Sequence, residues 1–194
     1  MVTEHERCIM NAKEAIKIAK YLTSAIESRE ECLSLAFDRG LGEGQQIEEW
    51  MLTEMLAKLV ELREEEIANC VEGRHKYPIK KTTDYERCDL WWNVEGEEHW
   101  LEVKTIVLAR DHQRGSIEEV RADLEKRNRL RPTDIFHHLT IIFPVESSEE
   151  GYWREELRVL YEGNGLSYID HWHYKVDWNH EVLHGQLLLM VFCS

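Results

Sequence analysis

The chain has 194 residues, 43% of them hydrophobic, and a formal net charge of −14. That is enough for one domain with a sizeable core. The acidity argues against a protein that coats DNA nonspecifically, but not against an enzyme that meets nucleic acid through one local patch. No apolar run approaches the roughly 18 residues of a membrane span, and the charged N-terminal stretch lacks the apolar centre of a signal peptide. Five scattered cysteines without a CxxC pair fit a reducing, cytoplasmic setting with no disulfide framework.

Residues 5–37 read as one or two helices, carried by Ile9, Ala12, Ile16 and Ala19 and then by Leu33, Ala36 and Phe37. Arg39-Gly40-Leu41-Gly42-Glu43-Gly44 is a break, and a long helix is expected from about Gln45 to Cys70. Lys76–Thr82 is a candidate strand. Tyr85–Val94 and Glu98–Leu108, rich in Trp, Val, Ile and Leu, are stronger ones. Ser116 opens the next helix, and Glu119 three residues later completes a capping box; the helix is expected to run to about Leu130, with Pro132 after its end. His137-His138 begins a strand whose buried part is Leu139–Val145. Tyr152–Tyr161 reads as a helix, and Leu166–Trp178 and Val182–Phe192 as two further strands. The order is α-α-α-β-β-β-α-β-α-β-β, a mixed α/β arrangement in layers.

Charge is uneven along this order. Residues 43–72 hold nine acids and two bases, residues 74–87 five bases and two acids, and residues 104–131 eight bases and five acids. The two base-rich stretches flank the expected hairpin. They are either ordinary solvated surface or the local patch that a nucleic-acid backbone requires.

The hairpin turn centres on Glu95-Gly96. A two-residue loop pairs Val94 with Glu97 and a four-residue loop pairs Asn93 with Glu98; both give one register, in which Asp89 lies opposite Glu102. Side chains alternate along strands. One face then shows Arg87, Asp89 and Trp91 opposite Lys104, Glu102 and Trp100. The other shows Cys88, Leu90, Trp92 and Val94 with His99, Leu101 and Val103, and should pack on the core. Two facing carboxylates repel, and a shared proton, a basic neighbour or a metal ion must offset this. Oxygen ligands so placed suit Mg²⁺ or Mn²⁺, and Lys104 on the same face can serve a water or a phosphate. The plainer alternative is an exposed face with a Glu102–Lys104 or Arg87–Glu102 ion pair.

The long helix adds a second clue. At about 100° per residue, Leu52, Met55, Leu59 and Leu62 fall within roughly 40° of Glu48, whereas Glu54, Glu61 and Glu64 point away. A carboxylate aimed at a core is expensive unless paired or ligated. Glu48 lies in the first turn, where it can project past the core edge towards a site, or simply be favoured by the helix N-terminus.

Together these residues resemble the PD-(D/E)XK phosphodiesterase superfamily. The motif is Asp89, twelve residues, then Glu102-Val103-Lys104. Gly44-Gln45-Gln46-Ile47-Glu48 looks like the helix opening of the Holliday-junction-resolvase-like branch. Cys88 stands where the superfamily's name has proline. The resemblance covers about half the chain. It implies a restriction-endonuclease-like αβββαβ core with a mixed central sheet over 41–194, a helical N-terminal extension over 1–40 and extra C-terminal strands. It further implies a Mg²⁺- or Mn²⁺-dependent nuclease acting on DNA, with a homodimer as one arrangement for cutting both strands. Asp89 and Glu102 would hold the metal, the Val103 carbonyl would join them, Lys104 would serve the attacking water, and Glu48 would be an accessory ligand. The superfamily also has members that keep the fold without catalysis, so a non-catalytic interaction module or a subunit of a larger assembly is the alternative.

Other features carry less. His171, His173, His180 and His184 show no recognised zinc spacing. The aromatic run Tyr168-Ile169-Asp170-His171-Trp172-His173-Tyr174 suits core or oligomer packing, or base stacking. Trp91 and Trp92 should point to opposite faces, and Trp91 and Trp100 should be cross-strand neighbours. Lys80 and Lys81 can contact phosphate or water. Gly40, Gly42 and Gly44 precede a helix without the Lys-Ser/Thr of a phosphate-binding loop.

Overall fold

In the computed structural model, residues 17, 19–26, 44–65, 68, 70–78, 87–109, 112–114, 116–175 and 187–194 are described. The expectations for 1–16, the break over 39–43, Lys80, Lys81, His180 and His184 lie outside them. So do the side chains of 168–175, His171 and His173 among these.

The elements are a helical segment over 19–26 (α1), helix α2 (Gly44–Glu64), strands β1 (Cys70–Gly73), β2 (Leu90–Val94), β3 (Glu97–Ala109) and β4 (His112–Arg114), helix α3 (Ile117–Glu125), strand β5 (Ile135–Val145), helix α4 (Glu150–Gly163), and strands β6 (Tyr168–Lys175) and β7 (Leu187–Cys193). They form an α/β fold around one mixed sheet of order β1-β2-β3-β5-β7-β6, with β4 paired to β3. All described pairings are antiparallel except β3 with β5, whose connection carries α3. Among the described residues no helix is long and apolar enough to cross a membrane.

Alternation along the strands divides the core in two. Leu90, Trp92, Leu101, Val103, Leu139, Ile141 and Met190 face one side, where Met51, Met55, Leu59 and Leu62 of α2 cover them with Leu22 and Ile26 of α1. Trp100, Ile106, Phe136, Ile142 and Val191 face the other side and meet Val120 and Leu124 of α3 and Leu157 and Tyr161 of α4. Central β5 is buried along nearly its whole length, as a strand covered on both faces must be. It starts two residues ahead of His137 and His138, and both imidazoles are buried within it.

The hairpin has the expected register: Leu90 pairs with Leu101, Trp91 with Trp100 and Val94 with Glu97. The turn residues Glu95 and Gly96 have φ of 52° and 90°, the positive values of the two-residue turn that matches strand twist. Trp91 and Trp100 are neighbours with ring centroids 6.2 Å apart, and Trp92 is buried on the opposite face.

Three expectations need correction. The long helix stops at Glu64 rather than Cys70; its end meets Glu64-Glu65-Glu66, and acids disfavour a helix C-terminus. The first strand is Cys70–Gly73, paired with β2, and of the expected strand at 76–82 only an isolated bridge from Lys76 to Arg87 is seen among the described residues. Cys88 lies with Tyr77 and Trp100 rather than with Leu90 and Trp92, because the chain bends at Asp89 before β2 begins.

Candidate functional site

The site is built on a gap in the edge of β3. Pairing with β2 ends at Leu101 and pairing with β4 starts at Val107. Along that edge the odd-numbered residues of β3 direct their N–H and C=O groups outward, so Val103 and Thr105 present theirs to the gap. Buried backbone donors need partners, and two carboxylates supply them. Asp89 Oδ2 accepts from Val103 N at 2.8 Å, and Glu48 Oε2 accepts from Thr105 N at 2.9 Å. Glu48 comes from the first turns of α2 on one side of the sheet and reaches the gap past the core edge.

Glu102, one residue before Val103, projects to the α3 side and is 1% exposed. Its Oε1 accepts from the Tyr77 hydroxyl, and its Oε2 accepts from Lys126 Nζ at 2.7 Å. Lys126, in the 3₁₀ turn over Lys126–Arg129 that follows α3, also binds Asp123 Oδ1 at 2.7 Å. The other Asp123 oxygen lies 3.9 Å from His138 Nε2, too far for a hydrogen bond. Lys104 stands on the Glu102 face, 3.2 Å from Glu119 Oε2 and 3.9 Å from Glu48 Oε2.

The electrostatics follow from this packing. Burial pushes the Glu102 carboxyl well above the usual carboxylate range, and the Asp89 charge pushes it further against the pull of Lys126. Burial also raises Asp89, which the Val103 N–H and Lys126 partly restrain and which a hydrogen bond with Glu102 eases. Asp89 and Glu102 therefore share a proton more readily than they carry two charges. Glu48 is raised by burial too, against its Thr105 bond and Lys104. Lys104 loses hydration, yet Glu48, Glu119 and Asp123 outweigh that and keep it a cation.

Of the expected residues, Asp89, Glu102, Val103, Lys104 and Glu48 all border this one gap. Among the described residues, however, no three His, Cys, Asp or Glu side chains stand close enough together to hold a metal ion. Glu48 is held on Thr105 rather than turned onto the Asp89–Glu102 pair. The donor set that remains is two mutually repelling carboxylates and the outward-facing Val103 carbonyl. All are oxygen donors, and Mg²⁺ is commonly bound through only one or two carboxylates, keeping several waters. These residues fit such an ion.

Sequence reasoning missed Tyr77, Asp123, Lys126 and His138. The signal for two of them was present: Glu119, Asp123 and Lys126 follow i, i+4, i+7 spacing beside the apolar pair Val120 and Leu124. The expected capping box is also altered. Ser116 Oγ accepts from Glu119 N at 3.2 Å, but the Glu119 carboxylate is turned to Lys104. A cavity of about 370 Å³ opens beside Asp89, lined by Leu52, Leu56, Leu90, Glu49 and Arg74.

Comparison with protein-family models, with curated proteins and with solved structures gave no match to this chain.

Proposed function

We propose that this chain is a divalent-metal-dependent nuclease that hydrolyses phosphodiester bonds in DNA, on a restriction-endonuclease-like core of the PD-(D/E)XK kind. The observation that carries this reading is the pairing of Asp89 with Glu102 across the gap in β3, with both carboxyls pushed towards protonation by burial and Glu102 pushed further by the Asp89 charge. The element order supports it: α2, β1, β2, β3, the short β4, α3 and β5 run as helix, antiparallel strands, helix and a strand parallel to β3. Arg74, Lys76 and Arg87 are exposed on the chain segments next to Asp89, where they suit a phosphate backbone.

Asp89, Glu102 and the Val103 carbonyl would hold Mg²⁺ or Mn²⁺. Held there, it would supply Lewis-acid stabilisation of a phosphoryl oxygen and a water of lowered pKa. Lys104, kept protonated by its acidic neighbours, orients the attacking water through an N–H donor and offsets charge on the phosphate. It is a poor general base in this state. Glu48, tied to Thr105 and facing Lys104, fixes where that ammonium points.

A second reading has its own observation. Both oxygens of Glu102 are taken, by Tyr77 and by Lys126, as expected of a fold retained as an interaction module whose acidic pair is neutralised internally. The test is cleavage of supercoiled and linear DNA, and of RNA, in Mg²⁺ and Mn²⁺, using wild type and Lys104→Ala. The nuclease reading requires metal-dependent cleavage by wild type that Lys104→Ala loses. Wild-type protein that cleaves nothing, or Lys104→Ala that cleaves equally well, would be decisive against it.

A further inference from the structure

Lys126 stands where a divalent cation would have to compete with it. Its Nζ is 2.7 Å from Glu102 Oε2, and the Tyr77 hydroxyl engages the other oxygen. A metal ion on Glu102 would have to share an oxygen with one of these partners. Tyr77 is a neutral donor and does not repel a cation. Lys126 does, because its ammonium and the ion would carry like charge a few ångströms apart. Lys126 is thus the partner that a cation would displace.

The structure also shows where it would go. Lys126 Nζ is held at 2.7 Å by Asp123 Oδ1, so the ammonium keeps one carboxylate when it gives up the other. Asp123 is itself largely buried, one turn earlier in the same helical stretch, between Lys126 and His138.

We propose that Lys126 is a built-in counter-ion that occupies Glu102 until a divalent cation displaces it, so that Lys126 sets the metal affinity of the site, with Asp123 retaining the displaced ammonium beside the reacting phosphate. The proposal rests on the assignment of Asp89 and Glu102 as the metal carboxylates. It makes the two readings above ends of one scale: a strong Lys126–Glu102 pair closes the site to metal, and a weak one opens it.

The test is a calorimetric titration of the full chain with Mn²⁺, in wild type, Lys126→Met and Lys126→Arg, with thermal melts in EDTA and in Mn²⁺. Lys126→Met is expected to bind Mn²⁺ roughly tenfold tighter or more, to melt below wild type in EDTA, and to recover that loss when Mn²⁺ is added. Lys126→Arg keeps the cation and should match wild type. Lys126→Gln keeps a donor to Glu102 without the charge, and gives the same reading where the Met variant does not fold. Undetectable binding in wild type with clear binding in Lys126→Met supports the proposal and identifies Lys126 as what closes the wild-type site. Binding in wild type that is unchanged or weaker in Lys126→Met and Lys126→Gln overturns the proposal and leaves the metal reading standing. Folded wild type and variants that all fail to bind overturn both.

Discussion

In Asp89→Asn one carboxylate oxygen becomes an amide nitrogen, with almost no change in volume. The amide oxygen still accepts from Val103 N, where the native contact is 2.8 Å, and the new N–H₂ can donate to Glu102. What is lost is a buried carboxyl whose ionisation opposes that of Glu102. Both groups have folded-state pKa values raised above their ordinary values of 3.8 and 4.5, by burial first in each case. Their stabilising contribution is fully present below about pH 4 and is lost as pH rises through the folded values. At neutral pH the pair weakens the fold. Each tenfold change in proton affinity is worth about 1.4 kcal/mol, and a chain of this size gains about 2–4 °C per kcal/mol. Asp89→Asn should therefore melt higher than wild type at neutral pH in EDTA, by about 2–4 °C for each kcal/mol of relieved repulsion, and the gain should vanish near pH 4. Asp89→Ala also removes the charge but leaves the Val103 N–H without a partner, a loss of roughly 1–3 kcal/mol, so it should melt at or below wild type. Calorimetric melts of the three proteins across this pH range decide the matter. An Asn variant less stable than wild type at neutral pH, or equally stabilised at both pH values, would show that repulsion across the pair is not what governs the site.

Lys104→Ala should abolish cleavage while changing stability by less than about 1 kcal/mol, since its ion pairs with Glu48 and Glu119 are partly solvated; circular dichroism melts and a plasmid-nicking assay measure the two effects. The buried His99–His137 contact, 2.9 Å from Nδ1 to Nε2, gives a pH slope of the opposite sign to the acidic pair. Burial pushes His99 down to about 4, and burial together with His99 pushes His137 well down. These residues stabilise the chain above their unfolded value of 6.5, and that contribution is lost as pH falls towards 4. The double variant His99→Phe/His137→Phe, which keeps the stack with Trp92 and Phe192, should flatten that part of the denaturant-unfolding profile; an unchanged slope would refute the assignment.

The parts of this site legible in the sequence are those set by local periodicity. Glu95-Gly96 fixes the hairpin register, so the facing of Trp91 with Trp100 follows from the turn and from strand alternation alone, and the register brings Asp89 close to Glu102 although the chain bends there. Glu48 is conspicuous because the residues around it on α2 are apolar, and its orientation is explained by the outward-facing N–H of Thr105. The rest depends on tertiary contacts that leave little local trace. Asp123 and Lys126 have the spacing of an ordinary solvated helix face, and only their position over β3 makes them part of the site. Tyr77 belongs to a short segment whose partner in the core is 25 residues away. His137 and His138 weaken the strand signal because buried imidazoles read as polar, although β5 is covered on both faces. Strict alternation places Cys88 on the wrong face because it does not register the bend at Asp89.

The central claim is that Asp89 and Glu102 form a divalent-metal site, and calorimetric Mn²⁺ titration of wild type and Asp89→Ala tests it most directly. Saturable binding by wild type that disappears in folded Asp89→Ala is the expected result. Binding that survives the substitution, or folded wild-type protein that takes up no Mn²⁺, would contradict the claim.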